Sequence, residues 1–416
     1  MIHDQAEMSD LWYAPVPRRP VGYLHPSRMT AGRFAATACA AARPRHARTG
    51  LAARLREHAG RNRCVLTASG RAALELAVRQ TGAAEVVMST FNCPAVADAV
   101  LAAGARPVLV DLDHVVGPAF TSVDLDGRAV VLTNALGLDE WRAHAERIEE
   151  LGGRVVLDLA QASVAPRVLR RFRDAACPIV LSFGEGKQLG GLGGGALLTS
   201  AQHTSAPVAG AGGLRRGGEL APLRRAVVER IVAHAPGVVR AAVQRGQSRT
   251  PGWSYTKADH LPTEAGQVTQ GGPSRWEVAS AAALLRTASS VADEAALTHE
   301  RVRSAVAPEL TTCQPVAADP DFGPGIELVF RRPGQRLLFA RALAERGVPS
   351  TWNYYPLHRL APYAAFAAGS MAGADALWPR VLTVAKQPQP RLTAQLLVEA
   401  MVAVDRFVRE QEAGRD

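Results

Sequence analysis

"RCVLTASGRAALELAVRQTGAAEVVMSTFNCPAVADAVLAAGARPVLVDLD", residues 63–113, decides the fold. Three short apolar runs, "RCVLT", "EVVMS" and "RPVLV", are separated by two helical patterns that end at Gly82 and Gly104. The runs are unbroken rather than alternating in polarity, as expected of strands buried on both faces of a parallel sheet. The same rhythm continues with the strand "RAVVLTNAL", the helix "DEWRAHAERIEELGG" and the strand "RVVLDLAQAS". Strand alternating with helix predicts right-handed crossovers and a doubly wound α/β domain.

The rhythm changes on either side. Residues 1–48, with "APVPRRPVGYLHP", read as an N-terminal arm or partner-contacting segment, because proline breaks any regular element there. Residues 179–199 read as two consecutive strands joined through a glycine-rich turn. A Gly- and Arg-rich region over 205–275, with a basic insertion near 205–255, holds one helical stretch, "APLRRAVVERIVAHAPGVVRAAV". A single long helix is expected from "RWEVASAAALLRTASSVADEAALTHERVRSAV". Beyond about 305 the alternation is weaker: "GIELVFRR", the helix "QRLLFARALAERG", "VPSTWNYYPLH" and a terminal helix from Thr393. The expected division is an arm over 1–48, a large α/β domain over 49–300 and a smaller C-terminal α+β domain over 301–416. There is no internal repeat.

Composition narrows the class. With 416 residues, 47% hydrophobic and 21% charged, the chain can bury a sizeable core. The net charge of +10 is spread along the chain with no Lys/Arg run interleaved with aromatics, which speaks against nucleic-acid binding and suits an anionic small ligand. The five cysteines, Cys39, Cys64, Cys93, Cys177 and Cys313, show neither paired nor metal-ligand spacing and are expected to be reduced and mostly buried. The N-terminus lacks the build of a signal peptide and no apolar window reaches the length of a membrane span. A cytoplasmic protein without membrane contact is the expectation.

In an open α/β sheet, ligands bind beyond the carboxyl ends of the strands. Ser69, Gly70 and Arg71 follow the first strand and open a helix, as a cap or as a phosphate site. Phe91, after the second strand, is either a core ring or a stacking platform for a flat ligand. Asp158 ends an apolar strand and Gln161 follows it; a carboxylate there is costly without a partner, which a helix cap or a protonated ring nitrogen could supply. Ser182 ends the next strand. Lys187, five residues on, lies in "LSFGEGKQLGGLGGGALLTS", a run with seven glycines over 181–200. A lysine in a dry, glycine-lined site can form a Schiff base with an aldehyde, whereas a loop lysine is commonly solvated. Each residue has an ordinary structural reading. Jointly, a phosphate cradle, an aromatic face, an acid for a ring nitrogen and an amine for an aldehyde describe pyridoxal 5′-phosphate.

From about residue 50 onward the chain resembles the DegT/DnrJ/StrS family of fold-type-I pyridoxal-phosphate enzymes, mostly sugar aminotransferases. The resemblance is carried by "ASGRAALELAV", "STFNCPAVADAVLAAGARPVLVDLD", "VVLDLAQAS", "LSFGEGKQLGGLGGGALLTS" and "RALAERGVPSTWNYYPLHRLAPY". It implies that Gly70, Arg71 and Ser182, beside Ser69, hold the phosphate, and that Phe91 lies against the ring. Asp158 would pair with the pyridine nitrogen, Gln161 approach the phenolic oxygen and Lys187 form the aldimine. It further implies a homodimer with shared active sites, an amino donor (Glu or Gln) and a ketone acceptor, with a keto-sugar nucleotide leading. A non-nucleotide ketone, an elimination or dehydration, and a catalytically silent scaffold are the alternatives. Tyr355 and His358 are expected to bind acceptor hydroxyls, or else to be core residues. Where the family donates an asparagine to the neighbouring subunit's phosphate, this chain reads "GGPSRWEVASAA", with Ser274 or Arg275 as substitutes.

Overall fold

The computed structural model describes residues 30–112, 118–134, 136–184, 186–200, 272–323, 325–352, 354–385 and 391–414, with single residues at 15, 17, 21 and 389. The basic insertion and most of the first 29 residues lie outside these.

The expected alternation is present. It runs β1 (Arg63–Thr67), α3 (Gly70–Thr81), β2 (Glu85–Ser89), α4 (Pro94–Ala102), β3 (Arg106–Val110), β4 (Ala129–Thr133), α5 (Glu140–Glu150) and β5 (Arg154–Asp158), preceded by α1 (Ala31–Ala41) and α2 (Pro44–Ala59). A short helix, α6 (Pro166–Leu169), leads to β6 (Ile179–Ser182) and β7 (Gly195–Thr199). The seven strands form one sheet in the order β1-β7-β6-β5-β4-β2-β3, and β7 alone runs antiparallel to its neighbours. Local chemistry sets the boundaries. Ser69 caps α3 by accepting from the Ala72 N–H, and Gly82 closes it at φ 66°, a left-handed position that favours glycine. Pro94 starts α4, where its missing N–H costs nothing.

Register then places the chemistry. The parallel pairing of β4 with β5 sets Thr133 beside Asp158, at the carboxyl edge. The β6–β7 pairing sets Ser182 opposite Gly195, so the glycine-rich turn that bears Lys187 is anchored at both ends within the sheet.

Three expectations need correcting. Residues 31–41, read as part of an arm, form α1, which packs with α2 against a later helix, α7 (Arg275–Leu285). The single long helix expected from Arg275 is two, α7 and α8 (Ala288–Val306). The break falls at Thr287, whose hydroxyl donates to the Leu284 carbonyl and competes with the helix ladder. Cysteine burial is also less than expected: Cys177 and Cys313 are buried, Cys64 and Cys93 half-buried, and Cys39 exposed, all as free thiols.

A second sheet, antiparallel in the order β10-β11-β9-β8, consists of β8 (Cys313–Pro315), β9 (Gly325–Phe330), β10 (Ser350–Thr351) and β11 (Val381–Ala385). Helices α9 (Pro333–Glu345), α10 (Ala372–Leu377) and α11 (Ala394–Ala413) complete this part. Helix α8 serves both cores. Ala288 and Ala292 pack with the seven-stranded sheet, whereas Val302 and Val306 pack with β8 and β9 residues. The segment from Leu357 to Met371 returns to the large sheet and buries Leu357, Leu360 and Tyr363 against α3 and α4. Among the described residues no helix is long and apolar enough to cross a membrane.

Candidate active site

The carboxyl edge of the large sheet gathers the residues expected to carry chemistry. At the β1–α3 turn, a Cβ built on Gly70 would lie 2.7 Å from Ser182 Cβ and 3.0 Å from its Oγ. Only glycine lets the start of α3 reach the end of β6 this closely. The helix N-terminus and the Ser182 hydroxyl thereby share one small space, with the positive end of the helix dipole facing it. A Cβ on Gly184 would touch both Ser182 Oγ, at 3.8 Å, and Lys187 Cγ, at 3.7 Å. The lysine stem therefore lies beside the same cradle.

Asp158 is buried and accepts from the Ala160 N–H at 2.9 Å. Burial pushes its carboxyl above the ordinary range, while the Ala160 N–H and the charge of Lys187 oppose that shift. The Cys93 thiol, at the start of α4, is also raised by burial, a shift that the charges of Lys187 and Arg71 oppose and that of Asp158 reinforces.

Other residues fall less simply. Arg71, one-third exposed, stands 3.7 Å from the buried Asp98, which also accepts from the Tyr363 hydroxyl at 2.7 Å. Phe91 is buried in the cluster that contains Trp352 and Tyr354. Gln161 Nε2 donates to the Tyr354 hydroxyl at 2.7 Å, a contact across 193 positions of chain. Tyr354 thus meets the large sheet's edge through Gln161, and Tyr355 packs against the core that contains Leu357 and Leu360. Tyr355 lies edge-on to Trp378 at 4.8 Å and hydrogen-bonds Arg359.

His358 has both ring nitrogens engaged: Nδ1 with Thr90 Oγ1 at 2.9 Å and Nε2 with Asp375 Oδ1 at 2.9 Å. Thr90 Oγ1 also accepts the His358 backbone N–H at 3.2 Å. The ring ties the C-terminal segment to the turn that follows β2. Ser274 caps α7 in a reciprocal pair with Glu277. The Arg275 guanidinium lies over the Trp276 ring at 5.6 Å.

Beneath the edge runs a buried polar layer that the sequence did not single out. Asn92 Nδ2 donates to Thr133 Oγ1 at 3.1 Å, and the Thr133 N–H donates to Glu140 Oε2 at 2.9 Å. Asn134 is fully buried with neither amide atom bonded. Among the described residues no group of acidic, histidine or cysteine side chains could hold a metal ion.

Residues 46–208 match the DegT/DnrJ/EryC1/StrS aminotransferase family. That segment is similar to the family. The matched segment spans the Gly70–Ser182 cradle, Asp158 and Lys187, and the fold extends the likeness over nearly the whole chain. DesI, solved in the presence of its TDP-sugar product, superposes with a TM-score of 0.65 at 19% identity, covering 98% of this chain and 100% of that one. DesV from S. venezuelae, solved with a ketimine intermediate, gives 0.62 at 21% identity, covering 94% and 99%. 3-Amino-5-hydroxybenzoic acid synthase gives 0.63 at 14% identity, covering 94% and 100%. At these identities the likeness establishes the fold, that of the fold-type-I aminotransferases. Among curated proteins none matches the chain at the level of sequence.

Proposed function

We propose that the chain is a pyridoxal 5′-phosphate-dependent aminotransferase, carrying an amino group from an amino acid, Glu or Gln, to a keto-sugar nucleotide or related biosynthetic ketone. One observation carries this reading: the Gly70–Ser182 cradle, with the Lys187 stem beside it, and Asp158 all lie at the carboxyl edge of one sheet. The residues fit the cofactor. The space that a Gly70 Cβ would fill lies between a helix N-terminus and a hydroxyl, which suits a phosphate. The buried Asp158 calls for a cationic partner, which a protonated pyridine nitrogen provides.

Gly70, Ser182 and Arg71, beside the Ser69 cap, would hold the phosphate. Asp158 would hold a proton on the ring nitrogen, and Gln161, oriented by Tyr354, would address the phenolic oxygen. Phe91 would close one face of the ring. When bound, the cofactor supplies an aldehyde for amine exchange and a ring that delocalises charge from the adjacent carbon. Lys187 Nζ would bind it covalently at rest and move protons at the reacting carbon when displaced.

The family match and the sugar-bound DesI neighbour favour a sugar acceptor. A non-nucleotide ketone is the second reading, favoured by the neighbour that makes 3-amino-5-hydroxybenzoic acid. Retention of Lys187 speaks against elimination and dehydration. Purified protein should absorb in the visible once cofactor is added, and borohydride should fix the label to the Lys187 peptide alone. Label recovered at Lys257 or Lys386 would defeat the reading. Mass spectrometry against a panel of ketones, with Glu and Gln as donors, then separates the two acceptors.

A further inference from the structure

Glu140 opens α5 in a place where a carboxyl is expensive. It is 5% exposed, and no described Arg or Lys pairs with it. Its Oε2 accepts the backbone N–H of Thr133 at 2.9 Å, and Thr133 is the residue that β4 sets directly beside Asp158. The bond fastens the last residue of β4 to the first turn of α5. Thr133 is held from its other end too, by Asn92 at 3.1 Å. Two buried carboxyls thus flank one residue at the edge of the site, and only one of them has a role in the reading above.

We propose that Glu140 is a positioning residue of the active site that acts through Asp158, fastening the strand end beside it and serving as a second proton-holding carboxyl behind it. The inference rests on the assignment of Asp158 to the cofactor's ring nitrogen. Burial and the charge of Asp158 push the Glu140 carboxyl up to about 8, against the pull of the Thr133 N–H. Near neutrality it is therefore mostly protonated, and Asp158 faces the site as a single charge. As pH rises, Glu140 ionises and a second negative charge stands behind Asp158, raising the proton affinity of every group in the pocket.

The other charges around Glu140 are few. Asp158 faces it from β5; the other charged residue of β5, Arg154, lies at the far end and donates to the Thr81 carbonyl. Neither β4 nor the 3-10 turn Phe120–Ser122 that packs on α5 carries a charged side chain. At the N-cap of α5, Asp139 accepts from the Arg142 N–H, and one turn beyond Glu140 the His144 ring packs edge-on to Phe120. Lys187 lies beyond Asp158 and acts on that carboxyl.

Glu140→Gln keeps an oxygen for the Thr133 N–H and removes the titration. Two measurements on the full chain test the proposal. The first needs no cofactor. A carboxyl whose folded pKa lies above its unfolded value stabilises fully below the unfolded value, and that contribution is lost as pH rises through the folded one. The melting temperature of Glu140→Gln should therefore match wild type near pH 5 and exceed it by about 5 °C at pH 8.5. Parallel curves would overturn the proposal. The second follows the visible absorbance of bound pyridoxal phosphate against pH. The midpoint should fall by about 0.5 pH unit or more in Glu140→Gln, because the second negative charge is gone. A divergent melting curve with an unmoved midpoint would make Glu140 a merely structural acid and overturn the proposal. Absence of any chromophore in wild type would instead defeat the cofactor reading, and the proposal with it, whatever the melting curves show.

Discussion

Gly70 shows how much of the site hangs on one missing methyl group. Its backbone has ordinary helical geometry, so alanine would favour the helix, yet the added carbon would meet Ser182 Cβ at 2.7 Å. Gly70→Ala must push α3 away from β6, at a cost of about 1–3 kcal/mol for overpacking. Cofactor affinity should fall by roughly tenfold or more while the fold survives, as read by equilibrium dialysis beside a melting curve. Unchanged affinity would move the phosphate elsewhere. Asp158, Lys187 and Ser182 are legible in the sequence because each ends or follows an apolar run, where polar residues stand out. Tyr354 and Glu140 are not. Tyr354 meets Gln161 across 193 residues, and Glu140 reads as an ordinary acid in the first turn of a helix until the register of β4 puts it behind Asp158. The partners of His358, Thr90 and Asp375, are not legible for the same reason: Thr90 lies 268 positions away in the chain and Asp375 on a later helix.

At the scale of elements, α11 is held to β8 by one buried carboxylate. Asp405 accepts four hydrogen bonds, from the backbone N–H and the hydroxyl of both Thr311 and Thr312. Burial alone would raise its carboxyl, but these donors, those of Thr312 first, hold it below the ordinary range. A depressed folded pKa gives stability that is present above the unfolded value and lost as pH falls through the folded one. Asp405→Ala should cost about 3 kcal/mol at pH 7, since it strands buried donors. Urea midpoints should show that gap, narrowing below about pH 4. The elements of the large sheet are legible because strands buried on both faces leave unbroken apolar runs. β8 and β10 are not, being three and two residues long. The break at Thr287 is equally hidden, because the apolar spacing continues across it and only a hydroxyl turned back on its own helix ends α7.

The whole molecule raises the question of a second copy. Family resemblance implies a homodimer with shared sites, and Arg275 begins the helix that lies beside α1 and α2. If each site borrows from its neighbour, mixing Lys187→Ala protein with Arg275→Ala protein should restore part of the lost activity. Full activity of a monomer at high dilution would contradict that. Helix α8 carries a different consequence. Its first turns belong to one hydrophobic core and its last to the other, so the position near 300 expected to divide two domains falls inside a shared rod. Neither half could be transplanted onto another protein at that point, since each would carry away a helix whose other end is bare. The chain should therefore melt as one unit, with near- and far-ultraviolet dichroism lost together, and a cut within α8 should leave two fragments that stay soluble only in each other's company.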